Sequence, residues 1–196
     1  MAHRRSRRDL ICEAALDLAA EGGNHALTHQ AIDAQLGLAR GSTSYYYRTR
    51  RALVHAALTH LTARSRERFR AAVPDEPPRS IDEAAGIIAA YVESLVRERR
   101  RDVLARYALM SDAHDDDELR ADLASCLFSR PAATALMAAL GASDADVAGS
   151  DLVSLLEGLV FDVAVGARVI VGGAAPEPAG RLRVPIRRWV EALVAS

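Results

Sequence analysis

An all-α fold is what this chain's sequence predicts, on three observations. Half of its 196 residues are apolar, supplied mostly by Ala, Leu and Val, and aromatics make up only 5%. That balance favours helices over a β-sandwich. Apolar residues recur at three- and four-residue intervals along most of the length. No stretch of any length alternates in the manner of a half-buried strand, and no internal repeat is present. About nine helices are expected.

Residues 1–8 read as a basic arm. From about Arg7 to Glu21, Leu10, Ile11, Ala14, Ala15 and Leu18 form one apolar stripe, stopped by Gly22-Gly23-Asn24. Thr28 is a good N-cap for a short helix carrying Ala31, Ile32 and Leu36, and Gly37 makes the turn. A third helix is expected from about Arg40 to Tyr47. A fourth starts near Arg50 and runs toward Pro74. The stretch Pro74 to Arg79 holds three prolines and cannot continue a helix. Ser80-Ile81-Asp82-Glu83 reads as a capping box that restarts helix to about Glu98. Another helix spans about Asp102 to Asp112. The acidic run Asp115 to Glu118 opens a third, where negative charge suits the helix dipole, and Pro131 kinks or breaks it. A long helix is expected from Asp146 to Val171, ended by Gly172-Gly173. The last begins near Pro185, a favoured first-turn proline.

Charge is unevenly placed. Residues 1–70 hold twelve Arg against six Asp and Glu, a net of +6. Residues 71–196 hold thirteen against twenty, a net of −7, and the two together give the chain's −1. A polyanion partner is therefore expected for the front only. Every cationic residue is Arg, which coding bias explains as well as function does. Cys12 and Cys126 lie far apart in apolar helical patterns, as small buried hydrophobes rather than a disulfide or zinc site. The charged N-terminus has no apolar signal core behind it. The apolar run Leu152 to Val171 is interrupted by Glu157, Asp162 and Arg168, so no membrane span is expected and the protein reads as cytoplasmic.

The most informative segment is Leu27–Leu53, LTHQAIDAQLGLARGSTSYYYRTRRAL. It reads as two short helices joined by a tight turn, with hydroxyls, tyrosines and guanidinium groups gathered where the second helix begins. Such side chains suit a surface that lies against phosphates and base edges. Arg50 and Arg51 read either as a solvated face or, beside that cluster, as DNA contacts.

The stretches ICEAALDLAAEGG, LTHQAIDAQLGLARGS and YYYRTRRAL, in that order and spacing, resemble the TetR family of bacterial transcriptional regulators. The resemblance covers about a quarter of the chain. It implies a three-helix helix-turn-helix head over residues 1–50, a linking helix over 50–73, and a helical ligand-binding and dimerisation body over 80–196. It implies a homodimer on double-stranded DNA, usually a repressor, released by a small-molecule effector. By position, Thr28, Ser42, Tyr46 and Arg50 match phosphate contacts. Arg40, Gly41 and Ser44 match positions that reach base edges, with Tyr45 beside them. Many members carry an apolar residue and a Tyr where this chain has Thr43 and Ser44, and a Phe where it has Tyr47. Base reading here is then expected to rest more on Arg40, Thr43 and Tyr45.

In the body, Leu152, Leu155, Leu156, Leu159, Val160, Val163 and Ala167 give one long helix apolar faces around most of its girth, which calls for burial on two sides. One side suits a partner chain, with Gly158 and Gly166 allowing close approach and Trp189 as an anchor. A ligand pocket is expected between Ser80 and Val171. Its candidate lining is Tyr91, Tyr107, Met110, Cys126, Phe128, Met137, Phe161 and Asp162. Few polar residues fall in the buried pattern, so the effector is expected to be apolar or amphipathic. His114 beside Asp115, Asp116 and Asp117 reads as a helix cap rather than a metal site. No glycine-rich phosphate loop, nucleophile elbow or His-Glu-x-x-His is present, so no catalytic residue, cofactor or metal is expected. The alternative reading is a helical small-molecule binding protein without sequence-specific DNA binding.

Overall fold

The computed structural model describes residues 6–72, 76–168 and 180–196. Among them are ten α-helices, a short 3-10 turn and no strand. They are α1 (Arg7–Ala26), α2 (His29–Gln35), α3 (Ser42–Tyr46), α4 (Arg50–Ala72), α5 (Ile81–Arg97), α6 (Arg100–Leu109), α7 (Asp117–Ala124), α8 (Arg130–Ala139), α9 (Ala145–Ala164) and α10 (Arg183–Ala195). The 3-10 turn is Met110–Ala113. The fold is all-α, as the apolar spacing implies. No helix among the described residues is long and apolar enough to cross a membrane.

Packing divides the chain into two compact units, one of residues 1–66 and 101–126 and one of 67–100 and 127–196. This division cuts across the boundary read from the prolines, because α6 and α7 pack with the N-terminal helices.

The first unit has Ile11, Leu16, Leu27, Ile32, Leu53, Leu58 and Leu61 fully buried at its centre. Its first helix begins at Arg7, as the apolar stripe implies. The Ser6 hydroxyl accepts from the Asp9 amide (3.1 Å), and Asp9 accepts from the Ser6 amide (2.9 Å). Only residues 1–5 of the expected arm lie outside the described residues. Gly23, at φ 73°, interrupts α1 where the glycine pair predicts a stop. Thr28 caps α2 by accepting from the Ala31 amide (3.1 Å), and Thr49 caps α4 by accepting from Ala52 (3.1 Å). Asp116 caps α7 through the Leu119 amide, as the acidic run implies.

Charge also organises this unit. Glu13 on α1 receives His60 (2.6 Å) and Arg64 from α4 and Arg101 from α6 (2.9 Å). Arg101 also meets Asp17 (3.1 Å) and Asp102 (2.8 Å), and His60 faces Asp9 at 3.8 Å. Burial alone would raise the Glu13 carboxyl. The hydrogen bonds from His60 and Arg64 and the charge of Arg101 outweigh it and hold the group well below the ordinary carboxylate range.

The second unit holds α5, α8, α9 and α10. Its centre includes Val92, Leu95, Met137, Val160, Ile186 and Val190. Ser80 caps α5 through the Glu83 amide (3.2 Å). Glu83 reaches back to the Arg79 amide (2.8 Å) rather than to Ser80, one residue beyond the expected capping box. Pro131 opens α8 instead of kinking a longer helix, because Ser129 caps there and the missing proline N–H costs nothing in a first turn. The close approach on α9 is at Gly149, where a Cβ would lie 2.6 Å from the Thr134 nitrogen of α8. Gly158, expected to admit a partner chain, has nothing of this chain within 4 Å of where a Cβ would lie. Helix α9 ends at Ala164, short of the expected Val171. The Gly166 amide turns back to the Phe161 carbonyl (3.0 Å), and Asp162 pairs with Arg168 (2.9 Å). Gly172-Gly173 lie outside the described residues.

A depressed carboxyl stabilises the fold above its unfolded pKa and loses that contribution as pH falls through its folded value. Glu13's share is therefore present at neutral pH and fades below its reference value of 4.5. Urea midpoints followed from pH 7 to pH 3, roughly the range over which carboxylates titrate, should fall less steeply in Glu13→Gln than in the parent. Parallel slopes would show that the cluster adds nothing to acid sensitivity.

Candidate nucleic-acid interface and ligand cavity

Helices α2 and α3 have seven and five residues. Neither is long enough to persist alone in water, so tertiary bonds must hold them. Asp33 on α2 is 3% exposed, and one of its carboxylate oxygens accepts from the Gly41 amide (2.7 Å). The other accepts from the Thr43 amide (2.8 Å) and the Thr43 hydroxyl (2.7 Å). Burial pushes this carboxyl up, but those three donors, helped by the nearby charge of His29, bring it below its ordinary value. Gly41 starts α3 at φ 91°, a conformation that a side chain would strain. At the other end of α3, His29 Nε2 donates to the Tyr47 carbonyl (2.7 Å). The Tyr47 hydroxyl lies 3.7 Å from Cys12 Sγ, and burial raises its pKa.

This arrangement sorts the expected DNA-contact residues. Thr28, Arg40, Gly41, Ser44 and Tyr45 are exposed, Tyr45 by 84%. Tyr46 is half-buried and meets the Tyr45 ring edge-on at 5.4 Å. Thr28 keeps its hydroxyl hydrogen while it caps α2, since capping uses the oxygen as acceptor. Ser42 instead donates its hydroxyl to the Ala39 carbonyl (2.6 Å), so that hydrogen is already committed. Thr43 corrects the sequence reading. It is fully buried with its hydroxyl on Asp33, so it supports the turn and does not reach a base.

Arg50 is also placed differently from the expectation of a free phosphate clamp. Its Nε and Nη2 bond the two Asp112 oxygens (3.1 and 2.9 Å), Nη1 bonds the Leu27 carbonyl (2.7 Å), and Nη2 bonds the Asn24 carbonyl (3.0 Å). Four of about five N–H donors of a guanidinium are thereby engaged inside the unit. Arg51 is held by Asp116 (2.6 Å), which raises its pKa and lowers that of Asp116. The sequence could not show this, because Asp112 and Asp116 come from 62 and 65 residues further along the chain. Arg40 and Arg48 are exposed and take part in no ion pair among the described residues. Arg48, between α3 and α4, was not singled out by the sequence reading. Its position directly after the tyrosines was the available signal.

The second unit contains an apolar cavity of about 300 Å³. Phe69, Ile87, Tyr91, Phe128, Leu136 and Leu152 line it, with Glu76, Pro77 and Pro78 at one side. Of the eight expected pocket residues, Tyr91 and Phe128 are in its wall, their rings 6.0 Å apart. The other six are not. Cys126 and Tyr107 belong to the first unit, where Cys126 lies 3.0 Å from the Thr62 hydroxyl and Arg106 stacks over the Tyr107 ring. Met137 is packed core, Met110 and Phe161 are exposed, and Asp162 pairs with Arg168. Residue size and hydrophobicity do not locate the cavity, which is set by where α5, α8 and α9 part. The helical spacing of Ile87, Ile88 and Tyr91 was the one usable signal for it.

Polar groups at the cavity are mostly spoken for. The Tyr91 hydroxyl donates to the Leu127 carbonyl (2.7 Å) and lies 3.3 Å from Arg99 Nη1. The Ser129 oxygen caps α8. Glu76 meets Arg79 at 3.3 Å. No cluster of metal-binding side chains is present among the described residues.

The fold is shared by solved proteins. A transcriptional regulator from Rhodococcus sp. Rha1 superposes with a TM-score of 0.76 at 17% identity, covering 97% of each chain. A TetR-family member from Streptomyces coelicolor A3 gives 0.69 at 21% identity, over 97% of this chain and 99% of that one. The multidrug binding protein EbrR, complexed with malachite green, gives 0.70 at 19%, again over 97% and 99%. No curated protein is significantly similar in sequence. Residues 11–57 match the bacterial regulatory proteins of the tetR family, and residues 79–196 match the tetracyclin repressor-like C-terminal domain. With the exposed residues at the start of α3 above a buried turn, and an apolar cavity in the second unit, these matches show that the chain belongs to the TetR family of bacterial transcriptional regulators.

Proposed function

We propose that this protein is a repressor that binds an inverted-repeat operator as a homodimer and leaves it when an apolar or amphipathic small molecule fills the cavity of the second unit. The observation that carries the reading is the exposed edge of Thr28, Arg40, Ser44 and Tyr45 around a recognition helix whose inner residues are fully bonded. We assign base reading to Arg40, Ser44 and Tyr45. Phosphate contact falls to Thr28, Tyr46 and Arg48, with Ser42 joining only if its hydroxyl turns outward. Arg50 acts mainly as a brace that holds the start of α4 to the Asn24–Leu27 turn. The reading is of a binding protein and not of an enzyme.

A two-fold dimer places two such helices about 34–36 Å apart, in successive major grooves. The seam we assign is the outer stripe of α9. Val147 and Phe161 are exposed there, with Val165 exposed just past its end, and Gly158, on the same face, leaves room for close approach. An apolar stripe of this kind favours a partner chain.

The effector class follows from the cavity. Its size suits a small drug-like molecule, its walls are apolar, and its few polar groups already have partners. Malachite green, which EbrR binds, is therefore a suitable first probe. Helix α4 carries both Phe69, in the cavity wall, and Arg50 at its first turn. Release requires only that an occupied cavity favours a form with lower DNA affinity.

Selection of bound sequences from random duplex DNA should return an inverted repeat, and Arg40→Ala should change the bases selected. Recovery of unordered sequence by the parent would refute the DNA reading. Phe161→Asp should convert dimer to monomer in sedimentation, with its helix content unchanged; a persistent dimer would move the seam elsewhere. Ala132→Phe, which fills the cavity, should leave operator affinity within about twofold while raising the effector concentration for release by about tenfold or more. Unaltered release by an effective probe would place the ligand outside this cavity.

A further inference from the structure

We propose that Asp33 is the positioning residue that sets the angle at which α3 presents its outer side chains to base edges, with His29 as its second point of support. The inference rests on reading α3 as the recognition helix. Five residues cannot hold a helical turn at a defined tilt by themselves. Asp33 gathers the two amides and the hydroxyl at the start of α3, and His29 holds the carbonyl at its end. The two residues are four apart on α2 and so share one face of it. Helix α3 is thereby pinned at both ends to a single face of its neighbour.

A buried carboxylate is a costly way to gain stability, and an apolar pair of similar volume would serve as well or better. Hydrogen bonds to a charged oxygen supply direction, which apolar packing does not. Thr43 shows that this is what the site uses. It is fully buried, yet its hydroxyl and amide both point to the same Asp33 oxygen. The bonded residues Gly41 and Thr43 alternate with or adjoin Arg40, Ser44 and Tyr45, so a small rotation of the clamp displaces every reading tip together.

The test compares affinity for two duplexes at fixed salt: the sequence the parent selects from a random pool, and an unrelated one of equal length. Asp33→Asn keeps the volume but sets an amide NH2 against backbone donors. Its affinity for the selected duplex should fall by about tenfold or more, while affinity for the unrelated duplex, which rests on phosphate contacts, should change by about twofold at most. Amide exchange at Gly41 and Thr43 should accelerate in the same variant while the dimer and the helix content persist. Thr43→Val keeps both amide bonds and should retain most of the preference. An Asp33→Asn protein with undiminished preference, or with equal losses on both duplexes that match its unfolded fraction, would overturn the proposal. So would a Thr43→Val loss as large as that of Asp33→Asn. A parent with no preference for any duplex would instead remove the DNA-binding reading, a result distinct from these.

Discussion

The buried carboxylate of Asp33 is the constraint on which the exposed face of the first unit depends. It is one charge, nearly without solvent, answered by three donors within 2.8 Å. Remove the donors and the charge would be left in an apolar interior at a cost of several kcal/mol. Remove the charge and two amides and a hydroxyl would be left unsatisfied. Neither half is stable without the other, so the turn between α2 and α3 has one satisfied geometry. The exposed positions of Arg40, Ser44 and Tyr45 follow from it.

The same unit uses arginine for two opposed purposes. Arg50, Arg51, Arg64 and Arg101 are paired with Asp112, Asp116 and Glu13. Arg40 and Arg48 are exposed and in no ion pair among the described residues. A count of basic residues over positions 1–70 treats them alike and overstates the charge offered to a polyanion. The acidic residues from outside that stretch that quench part of it, Asp112, Asp116 and Glu118, sit in the 3-10 turn and at the start of α7, which pack with the N-terminal helices. The second unit has a different economy, in which the wall of its cavity is made of side chains with little left to offer a polar ligand.

Much of the architecture was legible from residue types whose effect is local. Thr28, Asp116 and Pro131 mark helix starts because capping and a missing N–H act within one turn. Gly23 and Gly37 mark stops because they adopt positive φ. The Leu27–Leu53 segment was legible as a helix-turn-helix for the same reason. Reading failed where the decisive partner lies elsewhere in the chain. Thr43 reads from its neighbours as a base-contacting residue, because nothing nearby shows that Asp33 turns it inward. Phe161 and Met110 read as pocket lining from their size, because hydrophobicity does not say which side of a helix is covered.

The sequence alone determined the all-helical class, most helix boundaries and the segment that belongs to the recognition turn, since these depend on propensity, capping and periodicity within a few residues. Tertiary structure alone decided which arginines are paired with carboxylates, which of the large apolar residues surround a void, and that Gly149 is where α8 and α9 meet. Those outcomes depend on which surfaces come into contact, and contacts between residues tens of positions apart leave no mark on local pattern.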